Sequence, residues 1–242
     1  MKLVIKENYD EASRYCAEHI INLVKENPNA VLGLATGTSP VGTYKYMIQD
    51  HEKNGTSYKN VSTYNLDEYC GLEDDHPQSY HYFMKAHLFD AIDIDQANTH
   101  VPDGTKDPDE ECQDYTALLS KHHRNLQLLG IGSNGHIGFN EPGTSFDSHV
   151  HKVALKESTI KDNAILFFNG DEEAVPHYAI TMGIADILDS DEILLIASGK
   201  RKAKAIYALV NGPVTEDMPA SILQTRDNVT IVCDREAASL LK

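Results

Sequence analysis

Short, largely apolar runs recur along this chain with helical stretches between them, and this alternation restricts the fold more than any other feature. The runs are "VLGLA" (31–35), "VSTYNL" (61–66), "LQLLGI" (126–131), "EILLIAS" (192–198) and "VTIVCD" (229–234), with a weaker one, "KVAL", at 152–155. Between them, apolar residues at helical spacing predict helices over 10–26, 41–52, 80–88, 109–124 and 200–210. In the first, Ala12, Tyr15, Cys16, Ile20, Leu23 and Val24 form the stripe. Strands that lose the in–out alternation are buried on both faces, which is the habit of parallel sheets. The expected architecture is therefore α/β: a single Rossmann-like domain over residues 1–242, with a mostly parallel central sheet covered by helices on both faces. No Pro/Ser/Gly-rich spacer, low-complexity tract or internal repeat divides it.

Charge narrows the partners. Lys plus Arg number 21 and Asp plus Glu 37, a formal net charge of −16. A nucleic-acid surface needs a basic footprint, so no nucleic acid is expected, and no anionic membrane surface. No apolar run is long enough to span a bilayer, and "MKLVIKENYDEASRY" lacks the apolar core of a signal peptide. Cys16, Cys70, Cys112 and Cys233 are scattered, with no CxxC pair. They read as free thiols in a reducing cytoplasm rather than a disulfide framework or a zinc site. A small anionic ligand is compatible with this acidity if amides and cations are concentrated locally.

Ligands in such folds bind beyond the carboxyl ends of the strands, and four segments lie there. "LATGTSP" (34–40) runs from strand to helix. Thr36, Gly37, Thr38 and Ser39 offer hydroxyls and amides at a helix N-terminus, a phosphate cradle or equally an ordinary capping turn. "YNLDEYCGL" (64–72) places Asp67 and Glu68 after a strand. A desolvated carboxylate there can act as general base, though alone the pair reads as a solvated acidic turn. "GIGSNG" (130–135) satisfies the dinucleotide pattern GxGxxG, but Gly138, Pro142 and Gly143 forbid the helix which that fingerprint requires. What is left is a loop whose glycines, Gly135 among them, let the backbone approach a ligand. In it Glu141 can fix the tautomer of His136. "SGKRKAKAI" (198–206) collects Lys200, Arg201, Lys202 and Lys204 at a helix start, where cations oppose the helix dipole unless solvated or paired with an anion. His122, His123, His149 and His151 read as surface histidines without zinc-site spacing. "SYHYFM" (79–84) reads as helix core.

Together "LGLATGTSP", "NLDEYCGL", "HPQSYHYFM", "LGIGSNGHIGFNEPGTSFDS" and "VPHYAITMG" resemble the glucosamine-6-phosphate deaminase family. The resemblance runs from about Leu32 to "PASIL" and "EAASLL". Lactonases acting on 6-phosphogluconolactone share the superfamily and the Gly-His element but lack "FNEP". The resemblance implies conversion of glucosamine 6-phosphate and water to fructose 6-phosphate and ammonia, with no metal and no organic cofactor. It makes Asp67 the general base at C2, His136 the residue handling the ring-oxygen proton, Glu141 its acidic partner and Asn134 the third member of that group. It makes Gly37, Thr38 and Ser39 the phosphate loop and Lys202 the phosphate lysine.

Two departures bear on these expectations. Some members carry Asp where Asn134 stands; an amide can orient a neighbour but cannot carry charge. The family also has a phosphate-binding arginine near "DNAILFF" (162–168), where this chain has Ile165 and Leu166. An aliphatic chain does not replace a bidentate guanidinium, so Lys161 or another cation substitutes, phosphate affinity is lower, or the substrate differs. Members activated by an N-acetylated effector are hexamers with basic residues where His151, Val153 and Ala154 stand here. The expectation is no such activation and a monomer or small homo-oligomer. Galactosamine 6-phosphate as substrate, a lactonase, and a non-catalytic sugar-phosphate sensor are the alternatives. Intact Asp67, His136 and Glu141 argue against the last.

Overall fold

Order along the chain and order across the sheet differ, and the difference makes room for a ligand. The computed structural model describes residues 1–157, 160–161, 164–165 and 168–241. The principal elements run β1 (Lys2–Lys6), α1 (Tyr9–Glu26), β2 (Val31–Leu34), α2 (Val41–Asn54), β3 (Ser62–Asn65), β4 (Asp67–Tyr69), α3 (Tyr80–His87), β5 (Thr99–His100) and α4 (Pro108–Leu119). They continue with β6 (Arg124–Leu129), β7 (His151–Ala154), β8 (Tyr178–Thr181), α5 (Ile184–Leu188), β9 (Ser190–Ala197), α6 (Ala203–Asn211) and β10 (Val229–Asp234). Seven strands form one sheet in the order β1-β10-β9-β6-β2-β3-β5, and every pairing within it is parallel. From β2 the chain steps one way to β3 and later returns on the other side through β6. That reversal opens a crevice beyond the carboxyl ends of β2 and β6.

Alternation along each strand sorts the core into two layers. Leu126, Leu128, Leu194, Ile196 and Val232 pack with Ala12, Cys16, Ile20 and Val24 of α1 and with Tyr44 and Met47 of α2. Leu129, Ile193, Leu195, Ile231 and Cys233 pack on the other face with Tyr115 and Leu119 of α4, Ile187 of α5 and Ile206 and Leu209 of α6. Both faces are thus covered, as the apolar runs predict. Helix α1 starts where Asn8 accepts the Glu11 N–H at 3.0 Å, a capping bond that satisfies one orphan donor. Among the described residues no helix is long and apolar enough to cross a membrane.

Three expectations need correction. The helix predicted over 109–124 ends at Leu119, and Arg124 opens β6. Its fully buried guanidinium donates to the carbonyls of Asp186 (2.5 Å) and Asp189 (2.8 Å), closing the end of α5. The helix predicted from Lys200 begins at Ala203, because Lys200–Lys202 form a 3₁₀ turn. Asp67–Tyr69 form a strand rather than a solvated turn: β4 pairs antiparallel with β8, which also pairs with β7, the "KVAL" run. This second, three-stranded sheet carries a third apolar cluster that includes Tyr69, Phe139, Phe168 and Ala179.

Candidate active site

Strands β9, β6, β2 and β3 are consecutive in the sheet, so the loops that follow them share one rim. They enclose a cavity of about 210 Å³. Thr36, Gly37, Thr38 and Ser39 line it from β2, Asp67 from β3–β4, Gly130–Ser133 and His136 from β6, and Lys202 from the turn after β9. Asn134 and Glu141 stand behind His136 rather than on the wall, and Gly135 packs against the Met218 side chain.

The two adjacent carboxylates are separated by strand geometry, since successive side chains point to opposite faces. Asp67 lines the cavity and is 6% exposed. Burial, reinforced by the nearby charge of Glu68, pushes its carboxyl up to about 8. Glu68 turns to the start of α3. Its oxygens accept from the N–H groups of Tyr69 (2.8 Å), Tyr80 (2.8 Å) and His81 (3.0 Å). Burial raises Glu68 to about 7, and these three donors act in the opposite direction by holding its charge.

The loop after β6 holds a second cluster. Asn134 Nδ2 donates to Glu141 Oε2 at 2.7 Å, and Asn134 Oδ1 accepts the His136 N–H at 3.2 Å. The other carboxylate oxygen of Glu141 lies 3.5 Å from His136 Nδ1. The buried Glu141 also has Lys156 Nζ at 3.7 Å. The imidazole lies across Gly132, where any side chain would overlap it. Glycine here makes room for a functional group, and no dinucleotide is needed to explain it. This geometry can hold an imidazole in one orientation over the cavity, with a carboxylate behind one ring nitrogen.

Positive potential comes from a restricted set of groups. Among the described residues lining the cavity, Lys202 is the sole Lys or Arg. The Gly199 turn before it is tied down by Asp234, which accepts from Ser198 Oγ (2.5 Å), Gly199 N–H (3.1 Å) and Ala237 N–H (2.7 Å). Lys161 pairs with Glu157 at 3.7 Å and is absent from the wall. Ile165 is 74% exposed, and Leu166 lies outside the described residues.

Of "SYHYFM", read as helix core, Met84 and Phe83 do pack in the core, but Tyr80 has a second role. It lines the cavity, stacks on Phe139 with planes 7° apart, and its hydroxyl donates to that of Tyr69 at 3.4 Å. Burial, with Tyr69 and Asp67 adding to it, raises its phenol well above the ordinary value, so it stays a neutral donor. The sequence signal was Ser79, whose hydroxyl caps α3 by accepting the Tyr82 N–H at 3.0 Å and so places Tyr80 at the helix start.

Comparison with known proteins finds relatives over nearly the whole chain. The family model described as glucosamine-6-phosphate isomerases/6-phosphogluconolactonase matches residues 6–232. A glucosamine-6-phosphate deaminase of Geobacillus sp. (strain WCH70) is 53% identical, over 100% of this chain and 96% of that protein. A solved structure described as a monomeric glucosamine-6-phosphate deaminase is 47% identical with a TM-score of 0.96, covering 99% of this chain and 100% of that one. The 6-phosphogluconolactonase of Trypanosoma brucei, 16% identical with a TM-score of 0.81 over 100% of this chain and 98% of that one, shares the fold.

Proposed function

Because the chain belongs to the family of glucosamine-6-phosphate isomerases and 6-phosphogluconolactonases, we propose that it converts glucosamine 6-phosphate and water to fructose 6-phosphate and ammonia. The observation that carries this reading is the buried carboxyl of Asp67 on the wall of one cavity with His136, the Thr36–Ser39 loop and Lys202. The loop amides, hydroxyls and Lys202 hold the phosphate. His136 gives a proton to the ring oxygen and takes the one that the C1 hydroxyl loses, while Glu141 and Asn134 fix the imidazole. Asp67 then takes the C2 proton as the substrate ammonium gives one to O1, leaving an enol amine, and Asp67 returns its proton to C1 to give the iminium. Water adds at C2 and ammonia leaves. Burial alone favours a neutral Asp67 at pH 7, since its carboxyl is raised to about 8. The ammonium of the amino sugar supplies the opposite charge that favours the carboxylate.

Ammonia release from glucosamine 6-phosphate and galactosamine 6-phosphate, beside Asp67→Asn and His136→Gln, tests the assignment. The expected result is release from the gluco epimer, abolished by Asp67→Asn, with kcat/KM rising as pH increases through about 8. No release from either sugar phosphate overturns the reading, and an active Asp67→Asn overturns the general base. The chain acts as a monomer or small homo-oligomer without an organic cofactor or metal in this reading. Its free thiols at Cys16, Cys70, Cys112 and Cys233 suit a cytoplasmic setting.

A further inference from the structure

Tyr9 opens α1, well before any cavity segment in sequence, yet its hydroxyl reaches the loop after β2. It donates to the carbonyl oxygens of Thr38 (3.0 Å) and Ser39 (3.1 Å), sharing one proton between them, and accepts the Gly42 N–H at 2.8 Å. Three backbone groups of one turn therefore converge on a single side-chain oxygen. The turn needs such a partner. Pro40 stands at the N-cap of α2 and offers no side-chain capping bond, so the first-turn amides of that helix lack the usual acceptor. The approach of α1 also has a cause at Gly42. A β-carbon there would overlap Ser13 Oγ and come within 3.1 Å of Tyr9 Cζ.

We propose that Tyr9 is a positioning residue for phosphate binding, its hydroxyl setting the peptide planes of the Thr36–Ser39 loop. The proposal rests on the reading of that loop as the phosphate site. In a trans peptide the carbonyl and the following N–H point in opposite directions. Tyr9 is not on the cavity wall, whereas Thr38 and Ser39 are. Holding the Thr38 carbonyl toward Tyr9 turns the Ser39 N–H the other way, toward the cavity. A carbonyl rotated inward would meet the phosphate with like partial charge. This preorganisation matters more in a chain with Ile165 where the family resemblance leads one to expect an arginine, because fixed amides and Lys202 then carry more of the binding.

Tyr9→Phe keeps the ring and removes the hydroxyl, and it is compared with Lys202→Ala. Two quantities are read: KM and kcat for glucosamine 6-phosphate, and the calorimetric Kd for inorganic phosphate, which needs no turnover. For Tyr9→Phe, KM and the phosphate Kd should both rise on the order of fivefold, the factor from one hydrogen bond of ordinary net strength, with kcat changing by less than about twofold. A merely structural loss would lower thermal stability without this split. Gly42→Ala, which pushes α1 away, should shift the same two constants in the same direction. If Lys202→Ala weakens phosphate binding and Tyr9→Phe does not, the role of Tyr9 is overturned and the phosphate loop stands. If neither variant changes the phosphate Kd, the phosphate-loop reading fails and the proposal with it.

Discussion

Asp67 and Glu68 are neighbours of the same chemical type whose surroundings give them different work. Asp67 faces the cavity with its carboxyl raised to about 8, while Glu68 is engaged by three backbone amides. The sequence made both visible as a candidate pair, but a pair of acids cannot announce which one is desolvated. That depends on which face of β4 meets the cavity. The raised value has a cost for folding. The unfolded chain releases this proton near the ordinary 3.8, whereas the folded chain holds it to about 8. The unfolded state is therefore progressively favoured as pH rises across that window. Asp67→Asn stays neutral and escapes the effect. Its melting temperature should exceed that of the parent at pH 8, by a margin that shrinks toward pH 4. A margin independent of pH would show that Asp67 is not held protonated by the fold.

At the scale of elements, β4 and α3 act as a unit, because Glu68 of the strand caps the helix that presents Tyr80. Glu68→Ala strips the amides of Tyr69, Tyr80 and His81 of their acceptor. Unfolding in denaturant should show a loss of about 2–3 kcal/mol, with Glu68→Gln recovering part of it. Equal stability of Glu68→Ala and the parent would refute the cap. The largely buried strands β2, β6, β9 and β10 were legible because a strand covered on both faces is mostly apolar where it is buried. "DEY" was not legible as a strand, since a cavity-facing acid and a capping acid displaced the apolar pattern that would have marked β4. Nor was β1, a short edge strand with Leu3 and Ile5 partly exposed. Arg124 was carried into a helix because an arginine rarely opens a buried strand; here carbonyls at the end of α5 satisfy it. Among the candidate site residues, His136 was legible from the local density of glycines around it, whereas Asp67 was singled out from Glu68 only by the family resemblance. Tyr9 and Tyr80 were not legible, since only the folded chain brings α1 and α3 to the β2 loop.

At the scale of the whole molecule, a net charge of −16 coexists with a proposed anion site. The two are compatible because fixed amides and Lys202 act at contact distance, whereas the acidic surface acts through screening solvent. His151, Val153 and Ala154, at the places where the family resemblance leads one to expect basic residues in activated members, stand in β7, and His151 Nδ1 is engaged with the His149 carbonyl at 2.7 Å. Kinetics should accordingly be hyperbolic, without response to N-acetylglucosamine 6-phosphate, and sedimentation should report a species near 26.9 kDa or a small multiple. Sigmoidal rates relieved by that compound would contradict this. The pairing of β1 with β10 has a consequence for biosynthesis. Lys2 pairs with Thr230 and Lys6 with Asp234, so the first strand waits for nearly the whole chain to be translated. Until Val229 and its successors leave the ribosome, β9 presents an unpaired apolar edge to other nascent chains. The interval before that strand arrives is therefore a window in which aggregation during synthesis is to be expected.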